Sequence, residues 1–299
     1  MAYLFQIGKI MGKIKEGDTG VKIVVLEGAV IMWKWEADEN PKAVIVMVHG
    51  AMEHHGRYSW LIEMWRSNGF HVVMGDLPGH GMTSRSKRGH IDSFDEYTIE
   101  IKDWVQAAYQ FDLPIFLFGH SMGGLAVIRL LQQERLKIAG VILSGPCLGL
   151  VNYPSKLLGL LSIGLNKIAP HVRFNSPLTV QMATRNREIQ EQAVNDSLIL
   201  TKVSVRWYRE LINAMRLAHT DVLRLPDIPF LLMQGGNDKI VDKAAVMNWF
   251  NQTSLSEKLY KEWPKCYHEI FNEPEREDIF LYTKNFVENR LRTLGYIIN

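Results

Sequence analysis

A chain of 299 residues with 47% apolar and 22% charged side chains can bury a sizeable core, as one large domain or a domain carrying an inserted lid, and disorder as its main state is excluded. The 34 Lys and Arg residues against 32 Asp and Glu leave a net charge of +2, which argues against nucleic acid as a partner. Two cysteines, Cys147 and Cys266, are too few for a disulfide scaffold or a four-thiolate zinc site, and they suit a reducing cytosol.

The opening segment, MAYLFQIGKIMGKIKEG, carries only a short apolar run before Lys9 and no small-residue cleavage site, so the expectation is a cytoplasmic protein whose residues 1–19 form an extension. The first firm pattern is Val21–Leu26 and Val30–Trp35 around the Glu27-Gly28 break, which predicts a β-hairpin. Short apolar runs follow at 43–50, 71–76, 114–119, 139–145 and 229–236, separated by helical stretches. That alternation predicts a parallel sheet with helices on both faces. Strand runs stop between Gly145 and Pro229, where Ser155–Ala169, Arg187–Leu200 and Arg206–Ala218 have amphipathic patterns. The expected organisation is therefore a core of residues 20–145 and 226–299 with a helical cap inserted at 146–225.

The chemistry-bearing signal is Gly119-His120-Ser121-Met122-Gly123, a G-x-S-x-G pentapeptide between a strand run and a helical run. This context places Ser121 on a sharp strand-to-helix turn, where a helix N-terminus stabilises a developing oxyanion. A nucleophilic serine needs a base, and the base needs an orienting acid. Asp238 follows the strand run ending at Gly236, and Asp242 competes with it from farther along the same loop. His268 is the one histidine downstream of Asp238. The oxyanion needs two backbone N–H donors, and the chain positions predict Ala51 and Met122. Asp76 and His80 are expected to brace the neighbouring loop. His54-His55 lacks the companions of a metal site, and no metal or organic cofactor is needed.

Taken together, His49-Gly50, the Asp76 to Gly81 segment, the G-H-S-M-G elbow and the Asp238 and His268 segments resemble the α/β-hydrolase superfamily. Within it, HGAMEHHGRY and GHSMGG resemble the monoacylglycerol lipase and lysophospholipase branch. The resemblance implies an α/β fold with a mostly parallel eight-stranded sheet flanked by helices and covered by a helical cap. It implies Ser121, Asp238 and His268 as a triad, with Ala51 and Met122 as oxyanion donors. It also places Glu53 and Arg57 near the substrate's glycerol hydroxyls, against the plainer reading of a loop ion pair. Phe271 stands where mammalian monoacylglycerol lipases carry a second histidine, and the H-E-x-x-N-E run from His268 to Glu273 is closer to bacterial lysophospholipases.

The implied activity is hydrolysis of single-chain glycerolipid esters, monoacylglycerol or lysophospholipid. A small-ester carboxylesterase, an S33-type peptidase and a catalytically silent ligand-binding protein are the alternatives. Segment 155–169 is apolar round most of its circumference, so it either packs into the lid or makes transient contact with a membrane surface.

Overall fold

The structure is a computed structural model that describes residues 3–7, 10–16, 21–26, 29–83 and 87–296. Its chain order opens with β1 (Tyr3–Ile7), β2 (Ile10–Glu16), β3 (Val21–Leu26), β4 (Ala29–Trp35) and β5 (Ala43–Val48). Next come α1 (Ser59–Ser67), β6 (Phe70–Met74), α2 (Asp95–Ala108), β7 (Ile115–His120), α3 (Met122–Gln133) and β8 (Gly140–Ser144). Between β8 and the next sheet strand lie α4 (Lys156–Ile168), β9 (Arg173–Asn175), α5 (Val180–Ala183), α6 (Arg187–Val194), β10 (Lys202–Ser204) and α7 (Val205–Thr220). The chain closes with β11 (Phe230–Gly235), α8 (Lys243–Gln252), β12 (Lys258–Trp263) and α9 (Arg276–Thr293).

Among the described residues ten strands form one sheet in the order β1-β2-β3-β4-β6-β5-β7-β8-β11-β12. Pairing is antiparallel from β1 through β4 to β6 and parallel from there to β12. The eight strands expected from β3 onward are thus joined by β1 and β2, so described residues within 1–19 extend the sheet. The Glu27-Gly28 break lies outside the described residues.

Every residue of β5 is buried, because its two faces feed two cores. Val44, Val46 and Val48 pack with α2, α3, α7 and α8 on one side. Ala43, Ile45 and Met47 pack with α1 and α9 on the other. Period-2 alternation of side chains explains why a continuous apolar run, rather than an alternating one, marks a strand covered on both faces.

The segment between β8 and β11 differs from expectation in detail. Helix α6 stops at Val194 instead of reaching Leu200. There Asp196 accepts from the Leu198 N–H at 2.9 Å and the Leu200 N–H donates to the Met52 carbonyl at 2.9 Å, so tertiary bonds replace a further helical turn. Helix α7 is not detached from the rest: Trp207, Leu211 and Met215 join the α3 side of the core, and Trp207 donates its indole N–H to the Tyr97 hydroxyl at 2.8 Å.

Candidate active site

Strand β7 runs into α3 through a single residue, Ser121, at φ 52° and ψ −119°. Its neighbours leave no room for alternatives. A Cβ on Gly123 would overlap the carbonyl oxygens of Val48 and His49, and one on Gly119 would lie 2.7 Å from the Gly124 Cα. Ser121 is pinned further by its N–H, which donates to the Ser144 carbonyl at 2.9 Å, and by its carbonyl, which accepts from Cys147 and Leu125. The glycine spacing of the pentapeptide thus answers to close backbone packing.

Asp238 and His268 come together across the ends of β11 and β12. His268 Nδ1 lies 2.7 Å from Asp238 Oδ2. Asp238 Oδ1 accepts from the N–H groups of Ile240 and Val241, at 2.8 and 2.9 Å, and Oδ2 also accepts from Gln234 Nε2 at 2.8 Å. Burial works against the carboxylate charge, but the imidazole and these donors hold Asp238 below the usual carboxylate range. For His268, burial pulls the pKa down and the Asp238 charge outweighs it, with Glu269 and Glu53 adding to the rise above 6.5. Asp242, the competing acid, caps α8 by accepting from the Ala244 N–H at 2.9 Å.

Ser121 and His268 line one cavity of about 100 Å³ together with Ala51, Glu53 and Arg57. A Cβ on Gly50 would sit 3.1 Å from the Ser121 Cβ, so the loop after β5 runs directly beside the serine. Among the described residues the N–H groups of Ala51 and Met122 donate to no protein acceptor, and Met122 opens α3, where the first N–H groups of a helix point outward. Leu178, Val180, Ala183, Ile199 and Leu200 from the insertion supply much of the apolar wall.

Glu53 and Arg57 form part of a buried polar cluster. Glu53 Oε1 accepts from the Gly50 N–H at 2.5 Å and the Tyr58 hydroxyl at 2.7 Å, while its Oε2 lies 3.4 Å from Arg57 Nε. The Arg57 guanidinium donates to Glu269 Oε2 at 2.6 Å. Both carboxylates and the guanidinium line the cavity, so a loop-bracing role and a place near the substrate coexist in one cluster.

Asp76 braces the surrounding loop, while among the described residues the His80 ring bonds only within it, to the Pro78 carbonyl at 3.1 Å. Asp76 accepts from the His55 N–H and Nδ1 and from the Met82 N–H, at 2.7, 2.9 and 2.9 Å. His49 Nε2 accepts from the Leu77 N–H at 2.8 Å, which leaves Nδ1–H to donate to the Gly50 carbonyl at 2.7 Å. Burial pushes His49 down to about 4 and His80 to about 3. His54 Nε2 meets Asp196 Oδ2 at 2.7 Å, tying this loop to the insertion, and His55 stacks on Trp33 with ring centres 3.6 Å apart.

A family model described as serine aminopeptidase, S33, matches residues 39–275. The chain belongs to the serine aminopeptidase S33 family. This S33 chain is 55% identical over 258 residues to phospholipase YtpA of Bacillus subtilis, covering 86% of the chain and 99% of that relative. It is 30% identical to human monoglyceride lipase over 87% of each. The monoacylglycerol lipase of Paleococcus ferrophilus superposes with a TM-score of 0.76 at 31% identity, covering 87% of this chain and 98% of that one. The α/β-hydrolase resemblance stands with these matches.

Glu269 and Glu273 escaped the sequence reading as site residues, although both lie in the H-E-x-x-N-E run. Their partners, Arg57 and Arg185, are too distant in sequence for any local signal to pair them.

Proposed function

We propose that the protein is a serine ester hydrolase that cleaves single-chain glycerolipid esters, monoacylglycerol or lysophospholipid, to a free fatty acid. The observation that carries this reading is the 2.7 Å His268–Asp238 bond in a cavity shared with Ser121 on its strained turn. Ser121 Oγ attacks the ester carbonyl carbon while His268 takes its proton, and Asp238 holds the imidazole tautomer and the charge that forms. The N–H groups of Ala51 and Met122 receive the oxyanion, at about 3 kcal/mol per donor in comparable chemistry. Collapse breaks the ester bond, and His268 returns the proton to the leaving alcohol. Water, deprotonated by the same histidine, then hydrolyses the acyl-enzyme.

In this reading residues 146–225 are the cap over a core of 20–145 and 226–299. The apolar wall from Leu178 to Leu200 takes the acyl chain, at about 0.8 kcal/mol per buried methylene. Glu53 and Arg57 face the alcohol. The relatives named as phospholipase and monoglyceride lipase support a lipid ester of either head group. The protein is a cytoplasmic enzyme that meets its substrate at a membrane surface; both cysteines are buried and unpaired, and Leu157, Leu158, Leu160 and Leu161 of α4 are exposed. Among the described residues no helix is long and apolar enough to cross a membrane.

The test compares wild type with Ser121→Ala. A fluorophosphonate should label the wild type alone, and the variant should lose all turnover while keeping its fold. Fatty-acid release from matched monoacylglycerols, lysophospholipids and short esters then selects the head group. Turnover surviving in the variant would sink the assignment.

A further inference from the structure

The insertion and the loop around His268 are joined at more points than covering a site requires. The Glu269 N–H donates to the Ala183 carbonyl at 2.8 Å, and the Thr184 hydroxyl donates to the Asn272 carbonyl at 3.0 Å. Glu273 completes the joint. Its Oε1 accepts from the Tyr267 N–H at 3.0 Å and the Arg185 N–H at 3.1 Å, and its Oε2 accepts from Arg185 Nε at 2.8 Å. The Arg185 guanidinium continues to Glu275 Oε2 at 2.5 Å.

A carboxylate taken fully out of water is tolerated only when its oxygens are hydrogen-bonded and its charge paired. Glu273 has zero exposure, so its three donors must stay where they are. Two of those donors belong to Arg185 in the insertion, and the third to the residue immediately before His268. The His268 ring is therefore held from two sides: by Asp238 at Nδ1, and by Glu273 through the backbone. The same stretch of the insertion also walls the cavity, because Thr179, Val180 and Ala183 line it.

We infer that Glu273, with Arg185, is a positioning residue that fixes His268 to the segment Thr179–Arg185 containing α5, so that the acyl wall and the base form one unit. This rests on the serine hydrolase reading above. Its consequence is that contact between a long acyl chain and α5 is spent on holding His268 in place for proton transfer. Long chains then raise kcat and do not act through KM alone.

The test uses Glu273→Gln, which keeps the size of the side chain but removes its charge and replaces one acceptor with a donor. Fluorophosphonate labelling of wild type and Ser121→Ala comes first: labelling that does not depend on Ser121 overturns the hydrolase reading and this inference with it. With Ser121-dependent labelling in hand, Glu273→Gln should lower kcat on long-chain esters about 10- to 100-fold, as expected for a slightly misplaced base. The dependence of kcat on chain length should flatten, and the low-field proton resonance of the His268–Asp238 bond should shift or disappear. Arg185→Met, which leaves the Tyr267 bond to Glu273 intact, should show the same changes more weakly, with partial recovery in Arg185→Lys. This second pair decides the matter if Glu273→Gln folds poorly. A fall in kcat that is equal at every chain length with an unmoved resonance, or kcat within about twofold of wild type throughout, overturns the inference while leaving the hydrolase reading untouched.

Discussion

Ser121 occupies a backbone region that an L-residue with a side chain enters only when its surroundings compel it. The compulsion comes from the flanking glycines: the missing side chain of Gly123 lets α3 approach the backbone at the end of β5, and that of Gly119 lets β7 turn tightly onto the start of α3. Gly123→Ala should therefore destabilise the fold by at least the roughly 1–3 kcal/mol typical of overpacking, measured by denaturant unfolding. An unfolding free energy like that of the wild type would show that the elbow has slack. His268 sets a second expectation at this scale. Its pKa is raised, and in the proposed mechanism its neutral form is the base, so kcat/KM should rise with pH through an apparent value above the ordinary 6.5. Asp238→Asn should bring that value down together with the rate, and an unshifted profile would remove the carboxylate from its role. Ser121, Asp238 and His268 were legible as candidates because motif, chain order and strand ends converge on them. Glu269 was not, since its partner Arg57 lies 212 residues away.

At the scale of elements, α4 is the case where sequence pattern left two outcomes open. A helix apolar on most sides is equally consistent with burial in a lid and with exposure. In the structure Leu157 and Leu160 are 68% and 67% exposed, with Ser155 capping the helix through the Leu158 N–H. Leu157→Glu with Leu160→Glu should leave stability within about 0.5 kcal/mol, as exposed substitutions do. Binding to anionic vesicles should fall about tenfold or more, since burying each leucine in lipid contributes about 1.5–3 kcal/mol. Hydrolysis of a soluble short ester should be unchanged. Equal vesicle binding by the variant would exclude α4 as the lipid-facing surface. The five parallel runs that became β5, β6, β7, β8 and β11 posed no such ambiguity, because an apolar run of about six residues bounded by turn residues is too short for a buried helix.

For the whole molecule, the loops after β5 and β6 carry buried histidines beside the candidate site. His49 and His80 are depressed to about 4 and about 3 against an ordinary 6.5, first by burial. The unfolded chain therefore binds protons at these sites before the folded one does. Stability from this source is complete above pH 6.5 and is lost as pH falls toward 4 for His49 and toward 3 for His80. Tm should decline across that window by calorimetry, and a flat Tm there would mean the two rings take up protons without unfolding.

Fold class, the parallel core strands, and Ser121, Asp238 and His268 as the candidate nucleophile, acid and base were legible in the sequence alone, because apolar period, turn chemistry and chain order are local properties. Only the tertiary structure decided that α6 ends early, that α7 belongs to the core and that α4 is exposed. It alone decided that Glu53 and Glu269 share Arg57, and that Glu273 ties the insertion to the residue before His268. Those outcomes depend on which distant groups compete for a helix end, an apolar face or a buried charge. Such competition exists only once the chain has brought them together.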